Sequence, residues 1–218
     1  KRMGPEGQRW PVRTTPWLAA PFRPFFALGL GHAMLLMVLT GLALAGVAPA
    51  AFPIAWHGHE MVFGFALAII AGTALTALPS WAGIAETRGA TLALLAGAWL
   101  LGRVACYFGP TWPWAWVAAC DVALPLLLIA HLTVPLLQLP QRRWRLPLVV
   151  FALLALANAA WHAAAAAGDT AAAARALRAA VWLVVVMYTL AGGLFTPVFT
   201  ANLLAGRGLG TPRPLLPA

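Results

Sequence analysis

Residues 57–79 read HGHEMVFGFALAIIAGTALTALP: three groups able to carry protons or bind metals, then an unbroken apolar run. That run is long enough to cross a bilayer, since about 20 residues rising 1.5 Å each cover a hydrocarbon core near 30 Å. On either side of it similar runs recur at 25–48, 90–108, 112–139, 146–167 and 175–204. The pattern predicts an all-α, polytopic transmembrane bundle of six spans. The runs are continuous and rich in Ala and Leu, not alternating, which excludes a membrane β-barrel. With 62% of its 218 residues apolar and only 9% charged, the chain also lies far from a soluble domain, of which about 25% is charged.

The formal charge of +9 does not point to nucleic acid, because the basic residues sit at the ends of spans. If the N-terminus is cytoplasmic, Lys1, Arg2, Arg9, Arg13, Arg23, Arg88, Arg142, Arg143, Arg145, Arg207 and Arg213 fall inside, against Arg175 and Arg178 outside. By the positive-inside rule this predicts that both termini are cytoplasmic. The expected organisation is a proline-rich leader (1–24), a six-helix transmembrane domain (25–204) and a tail (205–218). GVAPAAF at 46–52 imitates a signal-peptidase site, but the run before it is about twice a usual signal h-region, and it is read as an ordinary first span. TTPWLAAPFRPFF and TWPWAW place aromatics at the two membrane interfaces. The Ala-rich linker AAAAAGDTAAAARALR is expected to form a short interfacial helix.

Small residues at Gly64, Ala68, Gly72 and Thr76 recur every four positions, a ridge that lets another helix approach closely and marks the second span as central. Cys106 and Cys120 are read as buried free thiols. Met34, Met37 and Met187 are read as core filling.

The residues that carry chemistry concentrate at the outer level. At about 100° per residue His57 and Glu60 share a helix face, while His59 points about 160° from His57. One regular helix therefore cannot send both imidazoles to one metal. His162, near the outer end of the fifth span, lies at the same depth. His57 or His59 with His162 is the expected axial pair for a haem, with Gly58, Gly64 and the alanines after His162 making room. His32 and His131 are read as histidines that bond a neighbour. Arg103 and Asp121 are costly inside a membrane, about 2.5–3.5 kcal/mol each at a span centre, and are placed to meet as an ion pair; Arg103 alternatively clamps a propionate. Glu60 would orient a ligating imidazole or move protons. Met61 and Cys106 with His59 form a donor set suited to Cu(I).

PFRPFF (21–26), WHGHEMVFGFALAIIAGTALTALPSWAG (56–83), LLGRVA (100–105), CDVALP (120–125), ANAAWH (157–162) and AGGLFTPVFTANLL (191–204) resemble, in order and spacing, the NnrS family of bacterial inner-membrane proteins. The resemblance implies a haem- and copper-containing protein linked to nitric oxide metabolism and nitrosative stress in denitrifying and related bacteria, with His57, His59 and His162 as the matching histidines. Members run to about twice this length with some twelve spans, so the chain resembles roughly their N-terminal half, and the stretch from Gly193 to Pro197 lacks the Arg that members carry there. The partners implied are the bilayer, a second copy of the chain and an electron donor of unspecified kind. Two other functions stay open: a module that senses or binds without turnover, and a transporter using Glu60, Arg103 and Asp121.

Overall fold

The computed structural model describes residues 15–47 and 54–207; leader residues 1–14, residues 48–53, which include most of GVAPAAF, and tail residues 208–218 lie outside them. The chain forms α1 (Phe22–Leu44), α2 (Ile54–His59), a π-helical segment (Glu60–Ala66), α3 (Leu67–Ala82), α4 (Gly89–Tyr107), α5 (Trp114–Leu137), α6 (Leu146–Ala166) and α7 (Thr170–Gly206). The second span, Ala55–Ser80, runs through α2, the π segment and α3, so six helices are long and apolar enough to cross a membrane. No strand occurs among the described residues. The protein is a multi-pass membrane helical bundle.

Local chemistry moves several span ends from their expected places. The first span begins at Phe22 because Pro24 is tolerated in a first helical turn, and Arg23 donates to the Pro16 carbonyl at 2.6 Å, tying down the turn before it. It ends at Leu44, earlier than expected, because Gly46 adopts φ +70°. There the Gly46 and Val47 amides bond back to Ala43 and Leu42, closing the helix in a Schellman motif. Gly168, at φ +71°, ends α6 in the same way. Asp169 then accepts from the Ala172 amide at 2.8 Å and caps α7. The Ala-rich linker (163–178) is thus divided between the last turn of α6, the turn at 167–169 and the first turns of α7, correcting the expected separate helix: one αL glycine and one cap complete the turn.

The second span is the centre of the bundle, with 67% of its apolar window buried against at most 39% for any other span. Its ridge of small residues packs against α1, whose buried stripe is Phe25, Gly29, His32 and Leu36. The approach is close to the backbone. A Cβ on Gly72 would lie 2.9 Å from the Phe25 Cβ, and one on Gly29 3.0 Å from the Ala68 Cβ. Since α1 offers the core only this stripe, Met34 and Met37 point outward, 71% and 59% exposed, against the expectation of core filling. Met187 does pack against the core. At the opposite end from the α6–α7 turn, His131 bonds the Thr87 hydroxyl at 2.8 Å and pins the α3–α4 connection to α5.

Gly72→Ala is expected to destabilise the detergent-solubilised protein by about 1–3 kcal/mol, because a β-carbon fixed to the α1 backbone cannot step aside. Gly41→Ala, where nothing lies within 4 Å, should leave the unfolding midpoint unchanged. Equal midpoints for both variants would show that the close approach does not hold α1.

Candidate metal centre

Three local devices carry polar side chains into the bundle at one level. First, the π-helical turn starts at Glu60 and aims Glu60 inward while His59 and Val62 stay buried; such turns are frequent at functional sites. Trp99 of α4 supports it by donating its indole N–H to the Gly64 carbonyl at 2.8 Å. Second, Gly102 lets α4 and α5 meet at the backbone: a Cβ there would lie 3.1 Å from the Asp121 Cα. The next residue, Arg103, thereby reaches Asp121. Third, Asn158 and His162 are one turn apart on α6 and share its buried face.

The result is a continuous buried network. Arg103 donates through one nitrogen to Glu60 Oε2 at 2.7 Å and through another to Asp121 Oδ1. Asn158 donates to Asp121 Oδ2 at 2.9 Å, and His162 Nε2 lies 2.8 Å from the same oxygen. His59 sits among acceptors: Glu60 Oε1 is 3.1 Å from Nδ1, and Asn158 Oδ1 and Asp121 Oδ2 are 2.9 and 3.2 Å from Nε2. Trp161 stacks on the His59 ring at 3.9 Å between centroids. His32 Nε2 approaches Glu60 Oε2 to 3.1 Å, out of line for a hydrogen bond. That approach exists because Gly64 has no side chain; a Cβ there would stand 2.5 Å from His32 Nε2.

Of the expected site residues, the structure brings together His59, His162, Glu60, Arg103 and Asp121. It separates His57, which bonds Thr40 of α1 at 2.7 Å; the two histidines of the second span do different jobs. Met61 is half-buried, next along the π turn. Cys106 and Cys120 are free thiols, and Cys106 places a ligand atom within 4.8 Å of His59 and Glu60. Arg103 is committed to two carboxylates, so the propionate clamp is replaced by a bridging role. Asn158 was not singled out in sequence, and His32 was read only as a histidine that bonds a neighbour, not as part of this cluster. An amide one turn before His162, and a histidine on the α1 stripe of Phe25 and Gly29, were the signals available.

A haem held between two imidazoles needs its macrocycle between the rings. Asp121 Oδ2 lies between the His59 and His162 Nε2 atoms instead, and the expected axial pair does not fit this arrangement. A compact cation does. His59, Asp121 and His162 each offer a ligand atom, all within 4.8 Å of one another, and a contraction of under about 1 Å brings ligand distances of about 2.0–2.2 Å. Two imidazoles and a carboxylate suit a borderline transition ion. The charges agree, since two buried carboxylates face one guanidinium and leave an excess negative charge for a cation to cancel.

Compared with known protein families, residues 16–217 match the model of the NnrS protein family. No curated protein and no solved structure matches the chain.

Arg103→Met should lower stability by about 3–5 kcal/mol, the cost of stripping a buried ion pair of one partner. Adding Glu60→Gln and Asp121→Asn to that variant should restore a large part, because no uncompensated charge then remains. Denaturant unfolding in detergent reads both steps, and a triple variant no more stable than Arg103→Met would contradict the bridging role.

Proposed function

The chain belongs to the NnrS family, and from that premise we propose that it is a nitric-oxide-related membrane metalloprotein of the bacterial inner membrane, centred on His59, Asp121 and His162. The observation that carries the reading is the convergence of these three donors, buried at 2% exposure or less, from three different spans. Copper or iron of non-haem type is the ion the donor set supports, and when bound it supplies an open position for NO. Copper also has a softer donor at hand in Cys106, beside His59 and Glu60.

The surrounding residues do the positioning. Glu60 orients the His59 ring from Nδ1, the nitrogen turned away from Asp121, as partners of ligating imidazoles commonly do, and Asn158 holds Asp121 from its amide nitrogen. Arg103 holds both carboxylates and prevents either from swinging toward lipid. Trp161 covers the His59 face and keeps water from it.

Elemental analysis of the detergent-purified full chain should find stoichiometric copper or iron without a Soret band. His59→Ala and His162→Ala should lose the metal, Asn158→Ala should weaken it by about 10–100-fold, and His57→Ala and His131→Ala should keep it. On an NO electrode, continuous consumption marks an enzyme and uptake that stops at the metal content marks a binding module. Metal loss in His57→Ala equal to that in His162→Ala, or a metal-free wild type, would overturn the assignment.

A further inference from the structure

Beside the donor cluster, at the end of the bundle formed by the α4–α5 and α6–α7 turns, lies a cavity of about 660 Å³. Its wall includes Trp56, Trp114, Trp161, His162, Ala173 and Leu177, and among its described residues there is no Lys, Arg, Asp or Glu. The volume lies within the range of about 300–1,000 Å³ typical of small-molecule sites and is far larger than a diatomic gas requires. Such a wall favours an uncharged occupant. A haem would bring two propionates to a wall that offers them no cation.

One residue of that wall has an unused polar atom. His162 is 2% exposed, its Nε2 faces Asp121, and its Nδ1 is buried with no hydrogen-bond partner. A ligating imidazole ordinarily gives its second ring N–H to an oxygen acceptor. We propose that the cavity binds the headgroup of a lipid-soluble quinone, one carbonyl oxygen of which accepts from His162 Nδ1–H. The inference rests on the metal reading for which ring nitrogen carries the proton. A quinone meets the other constraints as well. It is neutral and dissolves in the bilayer, and its flat ring matches a wall where Trp114 and Trp161 stand edge-on to His162 at 5.6 and 5.1 Å. Bound there, a single imidazole would separate it from the metal centre.

The test is titration of a short-chain ubiquinone analogue into the detergent-purified full chain, followed calorimetrically, with metal content measured on the same samples and elution volume confirming the fold. Wild type should bind saturably. His162→Gln keeps a group that reaches Asp121 but lacks one at Nδ1, and should bind about tenfold more weakly, the loss of one hydrogen bond. His162→Asn restores an amide N–H near the Nδ1 position, and should recover quinone binding while losing metal. Ala173→Phe fills the cavity, and should abolish quinone binding while retaining metal. Non-saturating uptake equal in wild type and Ala173→Phe, unchanged affinity in His162→Gln, or a Soret band that quinone does not displace would overturn the proposal. Loss of metal from every variant with the quinone pattern intact would count against the metal centre alone.

Discussion

The Arg103 guanidinium stands between Glu60 and Asp121, joining the second, third and fourth spans at one buried point. In a low-dielectric interior each of these three charges would be expensive alone. Together they form a carboxylate–guanidinium–carboxylate bridge whose members cannot be moved independently. His59, Asn158 and His162 all hang from this bridge, through Glu60 on one side and Asp121 on the other. The bridge carries one more negative charge than positive, and that surplus favours a cation among the neighbouring imidazoles.

Reaching that geometry requires helices to meet at the backbone. Gly64, Gly72 and Gly29 let α1 lie against the second span, and Gly102 lets α4 lie against α5. In a bilayer, where apolar side chains gain little by leaving lipid, such close contact together with buried polar bonds is what associates helices. The π turn adds a rotation that a regular helix lacks, putting Glu60 and His59 into the interior together while His57 stays with Thr40. Packing and chemistry therefore use the same small residues.

The centre has two unlike sides. Toward the bundle axis it meets carboxylates, an amide and a guanidinium; toward the α4–α5 and α6–α7 turns it meets an uncharged aromatic cavity. His162 belongs to both, with Nε2 on Asp121 and its ring among the residues that line the cavity. A polar interior positions an ion, while an apolar chamber admits neutral molecules dissolved in the membrane.

Six spans and the common level of His59 and His162 were legible in the linear chain, because apolar length acts over contiguous residues. Arg103 and Asp121 could be matched from their depths, and Gly64, Ala68 and Gly72 marked a contact ridge without naming its partner. The early stop at Gly46 and the capped start at Thr170 were missed where single αL glycines and an Asp cap outweigh hydropathy. The choice of His59 over His57, the recruitment of His32 and Asn158, and the carboxylate between the two imidazoles required the folded bundle. Rotation about a helix axis is set by which neighbours pack against it, and one π turn shifts that rotation with no trace in a 3.6-residue pattern.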